Sequence, residues 1–373
     1  MSSKTDERIL LSHGGGGKLA QELIAREFLP VFGDPALKEL GDSAILSFPV
    51  VGADAGVGPP SAYLRAEQKE GGHPASGVNS GPPLQEKLAF TTDAFVVKPI
   101  FFPGGDIGRL AVCGTVNDLA VAGAEPLYLS LAMVIEEGFR LEDLRRIVRS
   151  AKAAADEACV RIVCGDTKVV ERGSADGVFL ATSGVGRVPE GVDLSPKRIR
   201  TGDAVLVTGT LGDHAIAVLS AREGIEFRTE VTSDVQPVND LARTLLAAAD
   251  VRCMRDPTRG GAAAVLNELA QAAQVAVELD EWAIPVRPEV RSACDVLGLD
   301  PLYAANEGKI IAFIPAESAA AALAAVRAHA KGQRAALIGR VIEDRAGRVT
   351  MRTGLGGRRI VDMPMGEQLP RIC

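Results

Sequence analysis

Aromatic side chains are scarce in this sequence, 4% of its 373 residues, with one Trp and three Tyr. Its cores must therefore be built from Ala, Val, Leu and Ile, and a hydrophobic content of 47% supplies them. Cysteine is sparse too: the six are Cys113, Cys159, Cys164, Cys253, Cys294 and Cys373. None forms a C-x-x-C pair, which excludes a zinc framework of that kind. In a reducing compartment the first five read as small buried apolar residues. No apolar run approaches the ~20 residues of a membrane span. Met1 to Arg8 lacks the apolar region of a signal peptide, so the expected setting is the cytoplasm. Net charge is −7 with both signs interspersed, which argues against a nucleic-acid surface but not against a nucleotide ligand.

What is present is the alternation of a two-domain α/β protein. Helical spacing runs from Lys18 to Leu29 and stops at Pro30. The pattern predicts strands at Ala44–Phe48, Leu88–Thr92, Leu127–Ile135, Val160–Cys164 and Val178–Val188, with helices at Gly108–Val121 and Leu141–Ala158. Around Pro189 to Gly202 the composition turns to Pro, Gly, Lys and Arg, and the domain boundary falls there. The expected first domain is 1–190 and the second 198–355, with a tail at 356–373. In the second, helices are predicted at Asp213–Arg222, Asn239–Ala248, Gly261–Ala273 and Ser318–His329. Strands fit Ala204–Thr208, Val275–Leu279, Lys309–Ile314 and Ala336–Ile342. Residues 52–87 stand apart. They are rich in Gly, Pro, Ser and Ala without apolar periodicity, and read as an expanded hairpin loop or a partner-binding loop.

Several segments could carry chemistry. Gly14, Gly15, Gly16, Gly17 and Lys18 open the first helix, where glycine allows close backbone approach and free N–H groups favour an anion. This is not a Walker A motif, because Leu19 replaces the Ser/Thr that would reach magnesium. Asp42, Asp93, Asp118 and Asp166 sit at strand ends or within an apolar helix, poor places for unpaired charge. Each alone could be a cap or an ion pair. Together they favour a magnesium–phosphate site, since magnesium shares oxygen ligands with substrate phosphates. Phe101-Phe102-Pro103-Gly104-Gly105 reads equally as a packed turn or a nucleotide-lining loop. Lys168 lies in a charged loop beside Asp166, Glu307 just before a strand, and Asp256 to Gly261 at a helix start. His214 is either a packing residue or a catalytic one. Cys373 ends the chain, so its thiol could leave one pocket and enter another. Prenylation needs its Cys four residues from the end.

These pieces, in this order, resemble the HypE family of hydrogenase maturation proteins, a branch of the AIR synthase (PurM-like) ATP-binding superfamily. The resemblance is carried by His13–Lys18, Phe90–Val97, Phe101–Arg109, Cys113–Ala120, Gly165–Gly173, Gly209–His214, Asp256–Gly261, Asn306–Lys309 and Pro370–Cys373. It implies a homodimer whose N-terminal α+β domains pair into a β-barrel, each followed by an α/β sandwich. It implies that a carbamoyltransferase, HypF, loads the thiol of Cys373. ATP with Mg2+ then dehydrates the thiocarbamate to a thiocyanate, and cyanide passes to iron on HypC–HypD. On this basis Asp42, Asp93, Asp118 and Asp166 hold magnesium and triphosphate, while Gly14–Lys18, Thr92, Gly104, Gly105 and Asn117 contact nucleotide. Lys168 stabilises developing charge and Glu307 takes the nitrogen proton.

Two other readings stand beside this one. A selenophosphate synthetase or thiamine-phosphate kinase would share the superfamily, but the former carries its reactive Cys or Sec near the N-terminus, and here none precedes Cys113. A non-catalytic carrier would use the terminal Cys without needing Asp93, Asp118 and Asp166.

Overall fold

The computed structural model describes residues 86–224, 231–366 and 372–373, the backbone of 44–48, and single positions Lys18, Gln21, Glu22 and Ala25. Asp42, Gly14 to Gly17 and most of the 52–87 segment lie outside the described residues.

The first sheet has strand order β1-β2-β7-β5-β6. Its strands are β1 (Ala44–Phe48), β2 (Glu86–Phe95), β5 (Glu125–Glu136), β6 (Arg161–Val170) and β7 (Val178–Val188). A short hairpin, β3 (Phe101–Phe102) and β4 (Gly105–Asp106), leads into helix α1 (Ile107–Val121). Asp106 caps that helix by accepting from the N–H groups of Gly108 and Arg109. Helix α2 (Leu141–Glu157) buries Ile147, Ala151, Ala154 and Ala155, a stripe of 3–4 spacing, in the same core as α1. Both helices cover one face of the sheet. Period-two alternation follows: on β2, Ala89, Thr91 and Phe95 are buried, and Phe90, Thr92 and Ala94 are exposed.

β2 includes Glu86 and Lys87, which pair with Phe48 and Ser47 of β1. The inserted segment thus stops two residues sooner than the composition suggests. Loop-closure cost grows slowly with length, so replacing 52–85 by a short turn should stabilise the protein by no more than about 2 kcal/mol. Thermal melting checks this, and a collapse in melting temperature would make the segment structural.

The second sheet has order β14-β13-β10-β12-β8-β11-β9. Its central strands β8 (Ala204–Val207) and β11 (Ile311–Ile314) are almost wholly apolar because helices cover both faces. Val205, Val207, Ile311 and Phe313 join the core under helix α5 (Gly261–Ala273), and Leu206, Ala312 and Ile314 join the one under α4 (Asn239–Ala248) and α7 (Ala316–Ala328). Helix α3 (Asp213–Glu223) starts at Gly212, whose φ of +88° suits glycine. Helix α6 (Pro288–Leu297) packs beside it. The remaining strands are β9 (Cys253–Arg255), β10 (Ala276–Asp280), β12 (Ala336–Ile342), β13 (Val349–Arg352) and β14 (Arg358–Ile360).

Candidate active site

Between the two sheets lies a cleft of about 210 Å3. The N-terminal side contributes Thr91, Thr92 and Asp93 from β2, with Gly114 and Asp118 from α1. Thr91 donates to a carboxylate oxygen of Asp118 at 2.8 Å, so strand and helix present their carboxylates together. Burial pushes Asp93 above the usual carboxylate range, opposed by the charge of Arg259. A carboxylate in that condition favours a cation.

The opposite wall comes from turns of the second domain: Asp256, Thr258 and Arg259 before α5, and Glu307 before β11. Glu307 is 2% exposed, and its Oε1 has no hydrogen-bond partner among the described residues. Burial first, then the charges of Asp256, Asp234 and Asp93, raise its carboxyl well above the ordinary value. Its backbone is fixed from both sides. Its N–H donates to Asp234 at 3.1 Å and its carbonyl accepts from Asn117 at 3.2 Å. Gly308 makes this possible, because a Cβ there would stand 2.0 Å from the Asp234 carbonyl oxygen. Asp234 is held in turn by Lys309 at 3.1 Å.

The last residue of the chain also lines the cleft. Ile372 is buried in a core shared by α1 and α2 with Ala215 and Val218 of α3, and Cys373 packs partly buried beside it. A terminal oxygen of Cys373 accepts from the Val96 N–H at 3.4 Å. The charge of Cys373, ahead of that of Asp93 and Glu307, raises Arg259 against the cost of its burial. One cavity is therefore lined by Cys373, Glu307, Arg259 and three aspartates, Asp93, Asp118 and Asp256.

Other expected site residues are placed differently. Lys168 and Asp166 lie in mid-strand on β6, exposed and paired with each other at 3.2 Å, and do not line this chain's cleft. The Lys168 contact lowers the Asp166 carboxyl. Asn117 is buried, donating to the Gln236 and Glu307 carbonyls and accepting from Val238 N–H, so it braces Glu307. Gly104 and Gly105 pack against Ser233 and Val235. Thr92 is at the cleft, its hydroxyl donating to the Thr182 carbonyl. Lys18 is exposed and forms an ion pair with Glu22. Arg259 was missed from the site by sequence reasoning, although its signal, a Gly-terminated turn before a helix, was visible.

Comparison with known proteins fits this geometry. Residues 76–188 match the AIR synthase related protein N-terminal domain and 200–352 its C-terminal domain. Carbamoyl dehydratase HypE of Rhodobacter capsulatus is 48% identical over 369 residues, 99% of each chain. The chain belongs to the carbamoyl dehydratase HypE family. Among solved HypE-family structures, HypE in complex with ATP superposes with a TM-score of 0.74 at 44% identity, covering 98% of this chain and 100% of that one. HypE from a HypE–HypF complex gives 0.78 at 42% identity, covering 92% and 99%.

Proposed function

We propose that this chain is an ATP-dependent carbamoyl dehydratase that converts a carbamoyl group on Cys373 to a thiocyanate, the source of cyanide for [NiFe] hydrogenase assembly. The observation that carries it is the docking of Cys373 in one cleft with Glu307, Arg259, Asp93 and Asp118. Identity to carbamoyl dehydratases over 99% of both chains disfavours the carrier and the other superfamily enzymes.

The chemistry follows from leaving-group ability. In R–S–C(=O)–NH2 the oxygen leaves poorly. Transfer of the γ-phosphoryl of ATP to that oxygen, with loss of one N–H proton, gives R–S–C(=NH)–O–PO3 and ADP. Cleavage of the C–O bond releases phosphate, the second N–H proton departs, and R–S–C≡N remains. Glu307 receives a nitrogen proton. Arg259 compensates charge on the carbamoyl oxygen as the phosphoryl arrives.

Asp93 and Asp118 fit a magnesium ion shared with the triphosphate, since that ion commonly takes one or two carboxylates and completes its shell with phosphate and water. When bound it supplies charge neutralisation for phosphoryl transfer. Asp42 and Gly14–Lys18 complete the nucleotide site in this reading. Asp93→Asn and Asp118→Asn should each weaken magnesium-dependent ATP binding by roughly tenfold or more with the fold intact, since a charge-assisted contact is lost. Calorimetric titration measures this, and parental affinity in both would remove them from the site.

The functional unit is a homodimer working in the cytoplasm. The face of the first sheet away from α1 and α2 exposes Phe90, Tyr128, Val134 and Val163, an apolar surface suited to a second copy. Pairing there would carry Asp166 and Lys168 of one subunit toward the nucleotide of the other. HypF loads the tail and HypC–HypD receives the cyanide. Intact-mass measurement after incubation with HypF, carbamoyl phosphate and ATP tests the whole reading. A carbamoyl mass gain followed by loss of one water is expected. A gain that persists unchanged with ATP present would defeat it.

A further inference from the structure

We propose that His214 is the positioning residue that docks the tail, its imidazole N–H gripping the backbone carbonyl of Ile372 and so setting where Cys373 stands. The proposal rests on the reading above that Cys373 carries the reacting group.

His214 is fully buried near the start of α3. Its Nε2 is 2.8 Å from the Ile372 carbonyl oxygen and its Nδ1 2.7 Å from the Ser233 hydroxyl. A carbonyl has no proton to give, so Nε2 carries the hydrogen. The partner on the other side enforces the same tautomer. The Ser233 hydroxyl oxygen accepts from Val235 N–H at 3.1 Å, which leaves its own proton for Nδ1. Ser233 is held in turn, its N–H donating to the Pro103 carbonyl at 2.8 Å. Gly104, with φ of +90°, permits that approach, because a Cβ there would lie 2.8 Å from the Ser233 carbonyl oxygen. Phe102 closes the ring's side, edge-on at 5.4 Å. Burial lowers the imidazole pKa, in keeping with a neutral ring.

A relay thus runs from Pro103 through Ser233 and His214 to Ile372. It gives the Phe101–Gly105 turn a purpose that neither plain packing nor nucleotide contact supplies. Burial of the Ile372 side chain attracts the tail but is non-directional. The hydrogen bond adds register, because it fixes the carbonyl immediately before Cys373. The contacts to His214 and to Val96 are both made by main-chain oxygens of the tail.

The first readouts use full-length protein without partner enzymes. His214→Phe keeps the aromatic contact and removes the donor, whereas His214→Gln retains an amide N–H at similar reach. Tail release is read by trypsin cleavage at Arg371 and by iodoacetamide labelling of Cys373, followed on the C-terminal peptide. His214→Phe should raise both rates roughly tenfold or more, as loss of one buried hydrogen bond implies, and His214→Gln should restore most of the protection. With HypF and ATP, carbamoylation of His214→Phe should proceed at least as fast as in the parent while dehydration slows. Unchanged protection in a folded His214→Phe protein would overturn the proposal. Should melting show that variant unfolded, Ser233→Ala decides, since it frees the tautomer and should raise labelling measurably; parental labelling there would overturn it too. If protection responds as expected but even the parent forms no thiocyanate, the docking role stands and the dehydratase reading fails.

Discussion

Cys373→Ala should abolish carbamoylation and all thiocyanate formation while ATP binding persists. The thiolate is the strong nucleophile of the tail, and sulfur lets the product leave as a transferable cyano group. Alanine still buries Ile372 and still offers the main-chain oxygens that His214 and Val96 contact. Docking should therefore survive, and the loss should be chemical rather than structural. Buried Cys113 is no substitute, since burial pushes its thiol up to about 12. Position matters separately. Arg259 responds first to the charge of Cys373, and both line the same cleft. A few residues appended after Cys373 would have to enter that cavity as well. Dehydration should fall roughly 10²-fold, the penalty for an ångström of misplacement, while carbamoylation continues. Intact-mass time courses on both proteins give the answer. Thiocyanate on Cys373→Ala would overturn the central assignment, and a fully active extended tail only the positional one.

Glu307→Gln should trap the carbamoylated protein with ATP bound. Glutamine keeps size and hydrogen bonding but cannot take a proton, and general-base loss typically lowers rate roughly 10²–10⁴-fold. The pH dependence is a second signature. Glu307 is raised well above the ordinary glutamate value, chiefly by burial and then by Asp256, Asp234 and Asp93. It must ionise to act, so the parental dehydration rate should rise with pH through that raised pKa, and the variant should lose this limb. Stability carries the opposite sign. A folded-state pKa above the unfolded one means that ionisation opposes folding at pH above both values, and this cost is relieved as pH falls through the folded value. Glu307→Gln should therefore melt no lower than the parent at alkaline pH. A normal rate in the variant would pass the base role to another oxygen of the site.

Much of this was legible in the sequence because local patterning and global fold agree. Asn239–Ala248, Gly261–Ala273 and Val178–Val188 have the same ends in pattern and structure. Of the elements missed, β9 is only three residues long, whereas α6 carries Val290, Ala293, Cys294 and Leu297 at helical spacing behind Pro288 and was legible in the pattern. Asp166 looked like a strand end but is mid-strand, because β6 continues to Val170 through polar residues on an exposed edge. At the site, Asp93, Asp118 and Glu307 could be named from their awkward surroundings. What one sequence could not reveal was mutual distance: that Asn117 spends its amide on Glu307's backbone, or that Arg259 faces the tail. Those depend on how the two sheets meet, which no local spacing encodes.

The tail of this chain lies in the cleft of the same chain. If Cys373 carries the reacting group, as proposed, that group is tethered to its own catalyst, at an effective concentration set by chain geometry rather than by how much protein is present. Diluting the protein dilutes enzyme and substrate together without separating them. Saturation with the thiocarbamate has no meaning, and the step is unimolecular once ATP is bound. Each molecule completes one turnover per loading and regains its thiol only when a receiver has taken the cyano group. The sustained rate thus belongs to whoever loads and unloads Cys373, and the protein behaves as a stoichiometric carrier that performs its own chemistry in transit.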